Sequence, residues 1–339
     1  MSHRRVGQLS LADGLVARRA SGNMTLERVL ALIDWPAVAG VVAELHDGHR
    51  GAPAYPPLVM LKAVLLQQWY GLSDPALEAA LADRLSFRRF CGLALDEATP
   101  DHTTIHRFRN ALRTKGLDEK LFAEIDRQIG DRGLYLRRGT LIDASLIEAA
   151  VKRPKPPKEP SPAEAPPAAE PAGRPPSKLV KSARDGEAQW SRKGGKLYFG
   201  YKAHVAVDQG SGLVRRALLT GGAVNDTVPA DDLVCGDERA VYADQAYDKH
   251  ARRAALKQRR IKPRLMFRPN KHHPLTPRQK AYNEAVGRRR APVEQVFARL
   301  KGAYGWARVR YLGLARNATH LRLLCLAMNL KRMTVLCPT

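Results

Sequence analysis

Apolar positions in the first third of the chain recur at helical spacing. Leu58, Leu61, Leu65 and Trp69 share one face of a helix that Pro56-Pro57 would open. Ser73 is placed as the N-cap of a second helix through Leu77 and Leu81. Asp101 is placed as the N-cap of a third, with Ile105, Phe108 and Leu112 on one face and Arg107 and Arg113 off that stripe. One longer amphipathic helix is expected upstream, over roughly 25–45, after a basic arm.

Beyond residue 135 the period shortens. G-T-L-I-D-A-S-L-I, Y-F-G-Y-K-A-H-V-A-V-D and L-V-R-R-A-L-L-T-G read as three strands of an antiparallel meander, the last two joined at Gln209-Gly210-Ser211-Gly212. A helix near 229–234, a strand over 239–243, a helix over 248–258, a strand over 262–268 and a long helical region from 277 follow, with a last apolar helix over 321–333. This succession predicts an α/β layer architecture with a mixed sheet, in the order of a ribonuclease H-like fold, behind an all-α N-terminal domain. Between Val151 and Lys178 ten residues are Pro, which breaks both periods, so 151–189 is read as a Pro-rich, disordered insertion between the first two strands. The expected domains are therefore a basic arm and helix (1–50), a helical domain (51–135), an α/β domain (136–310) and a C-terminal helix packing on it (311–339).

Charge changes this picture most. The chain has 339 residues, with 57 Lys+Arg against 33 Asp+Glu, a formal net charge of +24. From Lys249 to Thr339 there are 23 Lys/Arg and two acids, Glu284 and Glu294, so this segment carries +21 of that excess. An anionic partner is implied, and nucleic acid fits better than a membrane: no run approaches the roughly 18 apolar residues of a spanning helix. The N-terminus lacks the apolar stretch of a secretory signal, and Cys91, Cys235, Cys325 and Cys337 form no C-x-x-C pair, which together point to a reducing cytoplasm and away from a zinc or disulfide framework.

Three carboxylates stand where phosphodiester chemistry would want them. Asp143 is placed at the end of the L-I-D strand, Asp244 at the end of the strand in V-Y-A-D-Q-A-Y-D, and Glu294 on a helix in R-R-R-A-P-V-E-Q-V-F-A-R-L-K. Acids at strand ends with one from a facing helix can hold two hard cations about 4 Å apart, one for the attacking and one for the leaving oxygen. On the Glu294 helix, Val293, Val296, Phe297 and Leu300 form a buried stripe, while Arg290, Glu294 and Lys301 share a neighbouring face that Pro292 either starts or kinks. Simpler roles exist for each acid: Asp143 as a turn residue before a Ser145-x-x-Glu148 capping box, Asp244 as a strand-end cap, Glu294 as the partner of Arg290. Asp226 reads as a helix N-cap or loop anchor, Asp248 as the cap of the helix after Asp244, and His102/His106 as an i, i+4 pair lacking the further ligands of a zinc site. Lys202 and His204 fall on one sheet face and are candidates, with Arg107 and Arg113, to approach DNA.

The ordered set of P-D-H-T-T-I-H-R-F-R, L-I-D-A-S-L-I, G-Y-K-A-H-V-A-V-D, Y-A-D-Q-A-Y-D and the Glu294 helix, over most of 55–335, resembles bacterial insertion-sequence transposases of the insertion-sequence-five family, within the insertion-sequence-four-like superfamily. The resemblance implies a ribonuclease H-like DDE catalytic domain in which Asp143, Asp244 and Glu294 are catalytic and bind two Mg²⁺ or Mn²⁺ ions. In that family the third acid lies in a Tyr–Arg–Glu–Lys signature with gaps of two, three and six; Arg290, Glu294 and Lys301 fit, but the Tyr position falls on Gly287. It further implies a nucleoid-associated enzyme that binds terminal inverted repeats and target DNA as a homodimer, cuts and joins strands, and uses no small-molecule substrate. A nuclease without strand transfer, or a domesticated DNA-binding protein, is the alternative.

Overall fold

The computed structural model describes residues 3–8, 23–45, 53–151, 154, 184–269 and 274–337. Most of the Pro-rich insertion therefore lies outside the described residues.

The N-terminal half is helical. The single helix expected over 25–45 is instead two, α1 (Met24–Leu32) and α2 (Trp35–Val42), because Asp34 caps the second by accepting from Ala37 N–H at 3.1 Å and Pro36 occupies its first turn. Next come α3 (Pro57–Tyr70), which Gly71 ends in the left-handed region at φ 62, and α4 (Asp74–Asp83), capped by Ser73 as expected. After α5 (Leu85–Cys91), helix α6 (His102–Thr114) starts at Asp101, whose carboxylate accepts from Thr104 N–H at 2.6 Å; α7 (Leu117–Asp131) closes the layer. Leu61, Leu65, Trp69, Leu77, Leu81, Ile105, Phe108 and Leu112 are all buried in one core, and Leu58 packs partly buried against it.

The second half is built on a six-stranded mixed sheet: β1 (Thr140–Glu148), β2 (Gln189–Lys193), β3 (Lys196–Asp208), β4 (Val214–Gly221), β5 (Ala240–Ala243) and β6 (Lys262–Leu265). The 13-residue β3 pairs antiparallel with β1, β4 and β2, while β5 lies parallel to β1 and β6 parallel to β5. The meander of β1, β3 and β4 is as expected. Strand β2 is an addition: it opens at the last residue assigned to the insertion and turns back into β3 through Gly194 and Gly195 at φ 55 and 77. Gly200, where β3 meets β1, admits no side chain, since a Cβ there would lie 2.1 Å from the Ile147 carbonyl oxygen.

Residues 229–234 form turns rather than the expected helix. Arg252 holds them, donating to the Thr227 carbonyl at 2.7 Å and to Asp231 at 2.7 and 3.1 Å. Helices α8 (His250–Gln258), α9 (Pro277–Arg290) and α10 (Pro292–Lys301) follow. Ala291 keeps helical dihedrals between α9 and α10, so the path continues, and Pro292, lacking an N–H, marks the break.

The final helix, α11 (Leu314–Leu336), is buried nearly all round and begins well before residue 321. Leu323, Leu326 and Leu330 enter the helical core, while Leu321, Leu324 and Met328 enter the core of the sheet. Trp69 donates from Nε1 to the Ala327 carbonyl at 2.7 Å, and Asn329 satisfies both backbone groups of Val214 at 2.8 and 2.7 Å. One helix thus fastens the two halves. Among the described residues, no helix is long and apolar enough to cross a membrane.

Candidate active site

Parallel pairing of β1 with β5 ends at Leu141↔Tyr242. Asp143 and Asp244 each lie two residues further on, so the sheet register itself delivers two carboxylates side by side. Asp143 sits within β1 and not at its end, because β1 continues to Glu148 against β3 after β5 has stopped. That extension also removes the Ser145-x-x-Glu148 capping box; Glu148 instead pairs with Arg308 at 2.9 Å. Asp244 follows the last residue of β5 and accepts from Ala246 N–H at 2.8 Å, so the capping role is present alongside any other. Burial pushes the Asp143 carboxyl above its usual range and the Asp244 charge adds to this, while Arg290 and the Ala144 N–H pull it down.

Glu294 stands in the first turn of α10 with its side chain 63% exposed. Arg290, at the end of α9, reaches both it and the sheet: its guanidinium lies 2.9 Å from Asp143 Oδ2 and 3.3 Å from Glu294 Oε1. A cation thus already bridges the carboxylate of the strand and that of the helix. The Arg290 Nε is buried and has no hydrogen-bond partner. Among the described residues, no three His, Cys, Asp or Glu side chains converge as a ready metal cage. The donor set still suits a hard divalent cation: carboxylate oxygens, one of them raised first by burial and further by its carboxylate neighbour, and a guanidinium standing in for positive charge.

The other candidates divide sharply. Lys202 is nearly buried, bonded to the Val224 carbonyl at 2.7 Å and paired with Asp226 at 2.8 Å, so Asp226 is a loop anchor. His204 is fully buried against Thr220, which corrects its assignment as a DNA contact: no surface of it is available. Burial holds its imidazole down at about 4. Asp248 pairs with Arg253 at 2.7 Å and does not cap α8. Lys301 lies near Lys193 of β2, burial and that neighbour both lowering its pKa; no contact joins it to Arg290 or Glu294 among the described residues. His102 pairs with Glu78 at 2.7 Å and His106 with Asn110 at 2.8 Å, so the two are spent separately. Arg107 is exposed on α6 and Arg113 half-buried.

Two features escape the sequence. Beside Asp244 opens a cleft of about 590 Å³, lined by Asn225, Thr227, Asp248, Lys249 and Arg268 from three separate stretches of chain. Tyr247 is buried in the field of Asp226, Asp143 and Asp244, its hydroxyl unpartnered and its pKa raised first by burial and then by those charges. Its place in A-D-Q-A-Y-D was visible, but not its proximity to Asp143.

Two family models match the chain. One described as Transposase DDE domain covers residues 135–330, more than half of the chain, and one described as Transposase domain (DUF772) covers residues 15–111. No solved structure matches. The chain belongs to the DDE-domain transposases, enzymes of DNA transposition.

Proposed function

From this membership we propose that the protein is an insertion-sequence transposase of the insertion-sequence-five type, with a ribonuclease H-like catalytic domain over 136–310, and that Asp143, Asp244 and Glu294 are its catalytic acids. The observation carrying the reading is the register that sets Asp143 beside Asp244, with Arg290 tying Asp143 to Glu294. The strand order β4-β3-β1-β5-β6, antiparallel through β1 and parallel after it, supports the fold assignment.

Asp143, Asp244 and Glu294 would hold Mg²⁺ or Mn²⁺, two ions per site. When bound, these supply Lewis acidity at the attacking and leaving oxygens of the scissile phosphate. The chain's residues do the rest. Asp143 and Asp244 are fixed by the sheet and need no rearrangement to face one phosphate. Arg290 turns from its carboxylates toward a phosphate oxygen, and Lys249 and Arg268 in the adjoining cleft track the backbone. In hydrolysis the water oxygen bonds to phosphorus as the P–O bond to the element's 3′ end breaks, leaving a 3′-hydroxyl there. In strand transfer that hydroxyl bonds to a target phosphorus and displaces a target 3′-oxygen.

Terminal inverted repeats would be read mainly by the helical module, with Arg107 and Arg113 on α6 among its contacts, and two copies would pair in the synaptic complex. Asp244→Asn tests the triad, since Asn also caps and so spares the fold. Cleavage of a labelled element end in Mg²⁺ should fall on the order of 10³-fold, the equivalent of several kcal/mol of transition-state stabilisation. Full cleavage by the variant would remove Asp244 from the site.

A further inference from the structure

Strand β3 outruns both of its larger neighbours. Its pairing with β1 stops at Gly200↔Glu148 and its pairing with β4 at Tyr201↔Gly221, so residues 196–198 pair with β2 alone. Ser191, Arg192 and Lys193 stand opposite Tyr198, Leu197 and Lys196, and Gly194-Gly195 close a two-residue turn. The result is a two-stranded ribbon that leaves the sheet. Its base is fixed: Trp190 and Phe199 pack ring to ring at 5.4 Å, Phe199 is buried, and Gln189 accepts from Ala223 N–H at 3.2 Å. Its tip, residues 192–196, is exposed throughout.

The residues at the tip oppose the ribbon's own stability. Arg192, Lys193 and Lys196 lie within it, and it holds no acid. Lys193 faces Lys196 directly across the strands, where like charges repel, and a lone two-stranded ribbon is marginal in water even without that cost. A third ammonium joins them. Lys301, at the end of α10, has its pKa lowered by burial and then by Lys193 beside it. Among the described residues, none of the three lysines pairs with a carboxylate. Cations gathered from β2, β3 and α10 with no acid among them call for a polyanion, which relieves their repulsion.

Shape decides which polyanion. Three residue pairs at a rise of about 3.4 Å carry the tip about 10 Å beyond the sheet. That matches the depth of a DNA major groove, roughly 8.5 Å, whose width of about 12 Å admits a two-stranded ribbon. One lysine on each strand then meets a phosphate on each wall. Gly194 and Gly195 put only backbone at the leading edge, with open space around both.

We propose that the β2–β3 ribbon is a DNA-binding finger that enters the major groove, with Lys193 and Lys196 on phosphates of opposite walls. It rests on the transposase reading for its partner and goes beyond it by adding a DNA contact outside the helical module. Seven residues of α10, a rise of about 10 Å, separate Glu294 from Lys301 beside the finger. The gripped groove therefore lies within one helical turn of DNA, about 34 Å, of the candidate acids.

The test is binding of a labelled duplex of fixed, arbitrary sequence to the full chain. Fluorescence anisotropy between about 50 and 200 mM salt reads affinity, and dimethyl sulfate probing of guanine N7 reads the major groove. Lys193→Gln/Lys196→Gln should bind about 10-fold more weakly and flatten the slope of log K against log salt by about 1.8, two phosphate contacts at about 0.9 each. Its Tm should be unchanged or higher, since a like-charge pair is removed; a merely structural pair would lower Tm and leave affinity alone. At saturating protein, the N7 protection given by the wild type should shrink in the variant. Arg127→Gln, whose guanidinium pairs with Glu124 and Asp131 on α7, serves as the control and should bind as wild type. Wild-type affinity and slope in the double variant would overturn the finger while leaving the transposase reading intact. Weaker binding with unchanged N7 protection would mark a contact outside the groove and likewise overturn it. Wild-type protein that fails to bind duplex would overturn both.

Discussion

Arg290 joins Asp143 to Glu294, its guanidinium 2.9 Å from one carboxylate and 3.3 Å from the other. The two acids come from different elements, β1 and α10, and the arginine is the group through which they meet. Asp143 is largely buried and Glu294 largely exposed, so the first contact carries more of the energy than the second.

Replacing Arg290 with Gln therefore has two separable consequences. Without divalent cation the variant should be destabilised by about 1–3 kcal/mol, because Asp143 is left without its cation. Mn²⁺ should then raise the Tm of the variant more than that of the wild type, since it no longer competes with a guanidinium. Differential scanning fluorimetry with and without Mn²⁺ reads both; equal shifts in the two proteins would separate Arg290 from the cation site.

Two buried histidines set the acid response. Burial holds His320 near 3 and His204 near 4, both below the ordinary 6.5, with Arg310 and Arg109 adding to the effect at His320 and Asp226 opposing it at His204. Each binds a proton in the unfolded chain before it does in the folded one. Stability is therefore full above pH 6.5 and falls as pH drops toward 4, by about 1.4 kcal/mol per pH unit for each group. Denaturant unfolding at pH 7, 6 and 5 should show that loss, and His320→Phe, which keeps the edge contact with Trp306, should reduce its slope by about half. An unchanged slope would assign the acid lability to other groups.

Asn329 should matter more than a single polar side chain in a helix ordinarily does. It closes both the N–H and the carbonyl of Val214 where α11 crosses β4. Asn329→Leu keeps volume but leaves two buried backbone groups unpaired, and should cost about 2–4 kcal/mol by urea denaturation. A loss below 0.5 kcal/mol would show that water replaces the amide.

The caps at Ser73 and Asp101 and the stripes of α3, α4 and α6 were legible because they depend on neighbours three or four residues away. The break at Asp34 was equally local and was overlooked, the amphipathic pattern running on through Pro36. Helix 229–234 failed for the opposite reason: Arg252, some twenty residues downstream, takes the Thr227 carbonyl and Asp231 and holds the segment in turns. His204 looked available because it shares a sheet face with Lys202, yet it is fully buried, its ring 2.9 Å from the Thr220 hydroxyl of β4.

The sequence by itself determined that the chain is strongly basic at its C-terminal end, that helices precede a mixed α/β region, and that its motifs resemble those of DDE transposases, the family whose model matches residues 135–330. These are properties of local periodicity, composition and motif order. Only the tertiary structure decided that Asp143 and Asp244 each lie two residues beyond the last parallel pair of β1 and β5, that Arg290 and not Lys301 reaches the acids, and that α11 belongs to both cores. Each of those depends on which residues far apart in the chain share a low-dielectric neighbourhood, and pairing across a sheet or burial against a distant helix leaves no periodic trace in the sequence that undergoes it.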